Sequence, residues 1–136
     1  MSRVQPRTYD VAEANAVLPQ VRGLVERIVE LAASLPDLED ALRIAQYRRA
    51  RADDPLAGDA EHDRHTEALR EAEVDLAAAL TALEAMGVQL KDMRQGLVDF
   101  LSYREGDLVE LCWKLGEDEV GFWHRIGEGF AGRKPL

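Results

Sequence analysis

The sequence predicts an α+β fold, in which a long antiparallel helical hairpin precedes a C-terminal antiparallel β-meander of three to four strands. Apolar residues recur at helical spacing over residues 10–86, and their period changes to two over residues 87–126. Residues 127–136 are glycine-rich and form a predicted tail. A chain of 136 residues is typical of one domain, so we expect residues 1–136 to fold together.

The first predicted helix begins at Asp10, which can cap it together with Glu13 three residues later. Apolar residues then alternate at spacings of three and four as far as Leu35, which is a seam suited to packing against another long helix. Pro19 removes one helical hydrogen bond. We expect either a kink there, which the continuous spacing favours, or a helix that ends near Val17 and a second that starts at Pro19.

Pro36 and Asp37 predict a turn, followed by a shorter second helix that ends in a basic cluster. A polar stretch at residues 53–63 predicts a surface loop. A third, acidic helix then runs to about Met86, where Gly87 is a natural C-terminal stop. Packed beside the second helix, the third would neutralise its arginines.

Two tight turns organise the predicted meander, one at residues 104–107 and one at residues 115–118. Each turn sets the register of the strands on either side of it. The expected partners are Tyr103 with Leu108 and Asp99 with Cys112 for the first turn, and Trp113 with Val120 and Val109 with His124 for the second.

This register sorts the side chains onto two faces. The predicted core face carries Val98, Phe100, Val109, Leu111, Trp113, Val120, Phe122 and, at its margin, His124. The second face, here called the mixed face, carries Leu97, Asp99, Leu101, Tyr103, Leu108, Glu110, Cys112 and Trp123. Helices can cover only one face of such a sheet, so the mixed face requires a partner, a ligand or the tail. We expect a homodimer.

The charge balance disfavours two classes of partner. The net charge is −9, from 17 Lys and Arg against 26 Asp and Glu, and so acidic a surface repels nucleic acid and anionic lipid. The sequence contains neither an apolar run of membrane-spanning length nor a signal peptide. Cys112 is the sole cysteine, so no intramolecular disulfide can form. We therefore expect a cytoplasmic protein.

Asp99 and Glu110 fall on neighbouring predicted strands, where paired carboxylates can share a proton or hold a divalent cation. Hydration at an open sheet edge is the alternative. His124, close in sequence to Glu117, suits a transition metal, or it serves as a structural residue. Cys112 has no histidine beside it in this register, which favours a buried apolar role over nucleophilic catalysis.

Five segments resemble a bacterial family catalogued as domain of unknown function 2203 (DUF2203). They are E-A-N-A-V-L-P (13–19), G-V-Q-L-K-D (87–92), G-L-V-D-F (96–100), L-C-W-K-L-G-E (111–117) and W-H…G-F-A-G-R (123–133). The resemblance covers nearly the whole chain and brings no established activity. It implies that the shared pattern includes Glu13, Lys91, Asp92, Asp99, Glu117, Trp123, His124 and Arg133.

The leading functional hypothesis is a homodimer that binds a metal ion or small polar ligand in a carboxylate/histidine pocket. The candidate ligands of a divalent transition metal are Asp99, Glu117 and His124, with Glu110 or Asp92 in reserve, and the candidate ligand-binding residues are Glu13, Lys91, Trp123 and Arg133. Because the register places Asp99 and His124 on opposite faces, a bulge or a site shared across the dimer would be needed to unite them. A non-catalytic interaction module is the second hypothesis and a hydrolase-like enzyme the third.

Overall fold

The computed structural model describes residues 5–136. The prediction that the chain does not begin with a signal peptide includes residues 1–4, which lie outside the described residues. Within residues 5–136, two α-helices precede a five-stranded antiparallel sheet whose spatial order follows the chain. The helices are α1 (Val11–Arg51) and α2 (Asp59–Ala85), and the strands are β1 (Val88–Asp92), β2 (Leu97–Arg104), β3 (Asp107–Lys114), β4 (Phe122–Arg125) and β5 (Lys134–Pro135), with a short 3₁₀ turn at Phe130–Gly132. The α+β prediction is confirmed, but the predicted numbers of helices and strands are not.

Helix α1 begins as predicted and ends later. The Asp10 carboxylate accepts a hydrogen bond from the Glu13 backbone at 2.7 Å, and the Glu13 side chain accepts one from the Asp10 backbone at 3.1 Å. The helix then continues through both Pro19 and Pro36. The predicted turn at Pro36 and the separate shorter helix are wrong, because apolar packing on both sides of Pro36 outweighs the single lost hydrogen bond.

Helix α2 begins within the stretch predicted to be a loop and ends just before Gly87, as predicted. Ion pairs join its first turn to the end of α1, between Arg48 and Glu61 at 2.9 Å and between Arg49 and Asp59 at 3.8 Å. These pairs are exposed, and such pairs contribute about 0–1 kcal/mol each. Across the described part of the chain, no helix is both long enough and apolar enough to cross a membrane.

The core lies between the helices and one face of the sheet. It consists of the buried seam of α1, the inner side of α2 and the apolar face of β1, β2 and β3. Its largest buried side chains include Tyr9, Ile28, Leu83, Phe100 and Trp113.

The N-terminal segment contributes to this core before α1 begins. Tyr9 donates its backbone N–H to the carbonyl oxygen of Leu101 at 2.8 Å, so the segment lies against β2. The Tyr9 ring meets Phe100 edge-on at 5.3 Å between centroids, and its hydroxyl donates to the carbonyl oxygen of Met86. The segment is thereby tied to both the sheet and the end of α2.

The predicted register of the first hairpin is confirmed, since Asp99 lies opposite Cys112 and Tyr103 opposite Leu108. The predicted register of the second hairpin is wrong by one residue, because β4 pairs Arg125 with Val109 and His124 with Glu110. Neighbouring side chains alternate between faces, so this shift moves Phe122 and His124 to the mixed face and Trp123 to the core face.

The cause is the connection between β3 and β4, which spans residues 115–121 and is not a two-residue turn. Asn15 of α1 holds its end. The side-chain oxygen Oδ1 of Asn15 accepts a hydrogen bond from the Val120 backbone N–H at 2.7 Å. The side-chain nitrogen Nδ2 of Asn15 donates one to the Val120 backbone carbonyl oxygen at 3.4 Å. Pairing between β3 and β4 therefore reaches only as far as Phe122 opposite Cys112.

Two glycines give a test of how closely the β1–β2 turn packs against α1 and the β3–β4 connection. Gly96 has a φ of 70°, and a Cβ there would lie 2.8 Å from Cβ of Leu115 and 2.9 Å from Cγ1 of Val25. Gly106 has a φ of 86° and nothing within 4 Å of such a Cβ. Both alanine variants incur the left-handed backbone cost of about 1–2 kcal/mol. We expect Gly96→Ala to lose about 1–3 kcal/mol more of the free energy of unfolding, measured by urea denaturation, because of overpacking. Equal losses would contradict this packing.

Candidate functional site

Four buried polar side chains meet on the mixed face, and we call them the polar cluster. Asp99 of β2, Glu110 and Cys112 of β3, and His124 of β4 are 2%, 7%, 0% and 1% exposed. Their meeting follows from the register, since Asp99 lies opposite Cys112 and Glu110 lies opposite His124. No bulge and no second subunit is needed to bring Asp99 and His124 together.

Asp99 and His124 form a hydrogen-bonded pair. Nε2 of His124 lies 3.1 Å from Oδ1 of Asp99, and Nδ1 lies 2.8 Å from the carbonyl oxygen of Arg125. A carbonyl oxygen only accepts hydrogen bonds, so Nδ1 carries a hydrogen. The hydrogen between Nε2 and Oδ1 then belongs either to an imidazolium or to a carboxylic acid, and the pair is neutral in both cases.

Cys112 completes a set of three possible metal ligands with this pair. One ligand atom each from Asp99, Cys112 and His124 lies within 4.8 Å of the other two. Burial, and next the negative charge of Asp99, raise the pKa of the Cys112 thiol to about 11, against an opposing effect of Arg133. The thiol is therefore protonated at neutral pH and is a poor nucleophile without a metal.

Lys91 and Glu110 lie beside the pair. Nζ of Lys91 is 4.0 Å from a carboxylate oxygen of Asp99 and 4.0 Å from one of Glu110, and its side chain is 37% exposed. A cleft of about 150 Å³ opens here, bounded by Lys91, Leu97, the polar cluster without Cys112, and the tail residues Gly127, Gly129 and Phe130. Asp99, Glu110 and His124 thus border a cavity, whereas Cys112 lies outside its lining.

The tail covers part of this side of the sheet, around Cys112 and Phe122, through Arg133. Its guanidinium carbon lies 3.9 Å from the ring centroid of Phe122 and 4.2 Å from that of Phe130. Its two terminal nitrogens donate to the two carboxylate oxygens of Glu117 at 3.1 and 2.8 Å, and these hydrogen bonds raise the pKa of Arg133 further. The tail predicted as one possible cover of the mixed face does cover part of it.

Of the other residues predicted for the site, Arg133 touches the polar cluster, since its Nη1 donates to Sγ of Cys112 at 3.9 Å. Glu117 pairs with Arg133, and Glu13 belongs to the N-terminal cap of α1. Asp92 accepts hydrogen bonds from the backbone of Arg94 and Gln95 in the β1–β2 turn. Trp123 packs on the core side of the sheet.

Of the predicted site residues, the structure therefore brings together Asp99, Glu110, His124 and Lys91, with Arg133 beside Cys112. It adds Cys112, for which the sequence analysis favoured an apolar role. Cys112 was missed because the predicted register of β4 turned the His124 side chain away from it. His124 belongs to β4, and the register of β4 against β3 depends on a non-local contact at Asn15. No local sequence signal reports that contact.

Comparison with known proteins identifies the family. The model of DUF2203, an uncharacterized conserved protein family, matches residues 7–136, so the chain belongs to this family. No curated protein and no solved structure shows a significant match to the chain.

The raised pKa of Cys112 predicts a loss of stability in alkali. The folded state holds the thiol proton up to a pKa of about 11, whereas the unfolded chain loses it near 9.0. The stabilisation is complete below pH 9 and declines as the pH rises toward 11, by about 1.4 kcal/mol for each unit of the pKa difference.

Urea unfolding at pH 8 and pH 10.5 measures this decline in the unmodified protein and in Cys112→Ala. The difference between the stability losses of the two proteins gives the contribution of the thiol, because tyrosines and lysines that titrate in the same range contribute equally to both. We expect Cys112→Ala to lose less stability between the two pH values. Equal losses would mean that burial does not perturb the thiol.

The Arg133 contacts predict that the tail loosens in Arg133→Lys, because lysine cannot form the two-pronged bond to Glu117. We expect roughly tenfold faster amide hydrogen exchange at Leu136, which bonds to Gly121 at 3.0 Å, with no change in α1. Arg27→Lys, at an exposed pair with Asp75, is the matched control. Unchanged exchange at Leu136 would show that Arg133 does not hold the tail.

Proposed function

We propose that this member of the DUF2203 family binds a divalent transition metal ion through Asp99, Cys112 and His124. The observation that carries the proposal is the convergence of a carboxylate oxygen, a thiol sulfur and an imidazole nitrogen within 4.8 Å of one another, in a buried position. Nitrogen, sulfur and oxygen ligands together suit zinc and its neighbours better than magnesium or calcium.

The spacing fits such an ion. Ligands bonded at about 2.0–2.3 Å around a tetrahedral metal lie about 3.3–3.8 Å apart. The distance of 3.1 Å between His124 and Asp99 is already near this value, and no two of the three ligand atoms are more than 4.8 Å apart, so ligation requires a contraction of at most about 1–1.5 Å. Rotation about the side-chain bonds of Cys112 and Asp99 can supply it.

The hydrogen bond at the far side of the imidazole supports the same role. Metal-binding histidines usually donate their second ring N–H to a carbonyl or carboxylate, which fixes the tautomer and presents the other nitrogen to the metal. Nδ1 of His124 makes this bond to the Arg125 carbonyl, so Nε2 is oriented toward Asp99. This is the orientation that ligation through Nε2 requires.

The charges also balance. Binding would replace two hydrogens, one between His124 and Asp99 and one on the Cys112 thiol, with one doubly charged ion. The net charge of the buried group is then unchanged, so metal binding would leave no uncompensated charge inside the protein. Three protein ligands would leave a fourth position of a tetrahedral ion open, and two of the three, Asp99 and His124, border the 150 Å³ cleft.

Cobalt substitution tests the ligand set directly. We expect the protein, purified without chelator or histidine tag, to bind one Co²⁺ and to show a thiolate-to-cobalt charge-transfer band. Cys112→Ser should abolish the band. Cys112→Ser, His124→Asn and Asp99→Asn should each weaken binding at least about 10–100-fold, since even outer-shell substitutions have that effect. His65→Asn, at a histidine on α2, is the matched control and should bind as the unmodified protein does.

Native mass spectrometry of the same preparation measures metal stoichiometry and also tests the predicted homodimer. A metal-free mass, together with no charge-transfer band after addition of Co²⁺, would refute the metal site. A band that persists in Cys112→Ser would assign the metal to other ligands.

A further inference from the structure

Glu110 differs from the other members of the polar cluster. Its side chain is 10% exposed, yet no hydrogen bond joins its carboxylate to any residue among 5–136, and its charged neighbour Lys91 stands 4.0 Å away. Every fully buried side-chain nitrogen or oxygen in these residues has a hydrogen-bond partner. Because the Glu110 carboxylate has none, its oxygens are not fully buried and remain accessible from a cavity. A carboxylate that is largely buried but faces a cavity is suited to accept hydrogen bonds from a ligand in that cavity.

Glu110 faces two cavities. One is the 150 Å³ cleft described above, and the other is a groove of about 530 Å³ between the end of α2, β1 and the N-terminal segment. Asp99 and Glu110 border both, so the carboxylates stand where the two cavities meet. The groove has the volume typical of small-molecule sites.

The wall of the groove is largely aliphatic. Its aliphatic residues are Leu80, Leu83, Val88, Leu90 and Leu101, and the uncharged remainder is Pro6, Gly87 and Gln89. Arg7 and Glu84 are its charged wall residues apart from the two carboxylates at its inner end. An apolar wall with one charged, incompletely hydrogen-bonded end accommodates a molecule with an apolar body and a single polar head.

We propose that this groove binds a small organic cation, an alkyl or aryl amine or amidine, whose apolar body lies along α2 and β1 and whose charged N–H group donates to Glu110. The inference goes beyond the proposed metal site and does not depend on it, because Glu110 is outside the three-ligand set.

The charge of the head follows from the surroundings of Glu110. Asp99 is paired with His124, and the cation beside Glu110 is Lys91, which at 4.0 Å is too distant for a hydrogen bond. The other cation of the groove wall, Arg7, lies over the Tyr9 ring. The Lys91 side chain is partly exposed and can turn into solvent when a second cation enters. A ligand carboxylate would instead be placed against Glu110 at short range, where like charges repel. The acidic net charge of −9 further favours cations.

The test uses three probes of equal chain length, hexylamine, hexanol and hexanoate, at physiological ionic strength with EDTA present so that no metal can ligate the amine. Protein NMR follows the backbone amides of Gln89 and Leu101. We expect saturable shifts with hexylamine and about 10–100-fold weaker binding of hexanol, because a hydrogen bond to a charged group contributes that much. Butylamine should bind more weakly than hexylamine by about fourfold per methylene removed.

Two variants separate a specific site from general attraction to an acidic protein. Glu110→Gln keeps the size of the side chain and should weaken hexylamine binding about 10–100-fold. Glu119→Gln makes the same change of charge on an exposed loop and should leave the affinity unchanged. Urea unfolding of both variants establishes that they are folded.

The proposal is overturned if hexanoate binds as tightly as hexylamine, if Glu110→Gln binds like the unmodified protein, or if chain length has no effect. It is also overturned if no probe binds while raising the protein concentration shifts the same amides, since a second copy of the chain then occupies the groove. Failure of the cobalt experiment alone leaves it standing, because every amine titration is carried out without metal.

Discussion

The hydrogen bonds between Asn15 and Val120 set the arrangement on which the site depends. A single side-chain amide binds both backbone polar groups of one residue, at 2.7 and 3.4 Å, and Val120 is 2% exposed. This contact joins the first turns of α1 to the last part of the β3–β4 connection. Since the following strand begins two residues later, its register against β3 is determined at this point. A helix far away in sequence therefore decides which face of the sheet His124 occupies.

The cost of burying charge favours the observed register of β4 over the alternative one. In the alternative register, His124 would face the apolar core, and Asp99 would lose its hydrogen bond and keep only the distant Lys91, at 4.0 Å. An unpaired buried charge costs several kcal/mol, far more than the difference between two strand alignments in isolated sequence. The hydrogen bond between Asp99 and His124 is therefore both a product of the register and a reason for its stability. Trp123 gains core packing from the same alignment.

Local signals in the sequence predict the fold well. The capping box at Asp10, the glycine stop at Gly87 and the first hairpin all depend on residues adjacent in the chain. In that hairpin Glu105 and Gly106 both have positive φ, which is the pattern of a two-residue turn whose twist suits the strands. Features of this kind are readable because the physical cause lies within a few residues.

The misread features have non-local causes. Gly116 suggests a second tight turn, but Trp113 donates to the Glu117 carbonyl oxygen and Arg22 of α1 donates to that of Asp118, so the chain around Gly116 forms a docked loop. Pro36 suggests a turn, but α1 continues through it because the packing of its apolar seam extends on either side. The candidate site inherits the first of these errors. Asp99, Glu110 and Cys112 were placed on one face by the first hairpin, whereas the position of His124 on that face was not predicted.

The net charge of Asp99, Cys112 and His124 is zero both without metal and with the proposed divalent ion. The same fold can therefore hold the cluster in both states. Without metal, the hydrogen shared by Asp99 and His124 cancels one carboxylate charge, and the thiol of Cys112 is uncharged because burial keeps its pKa near 11. With a divalent ion, loss of these two hydrogens compensates the two added charges. Glu110 takes part in neither balance, and its carboxylate accepts no hydrogen bond from residues 5–136. The charge left for an external ligand is therefore that of Glu110, at the junction of the two cavities.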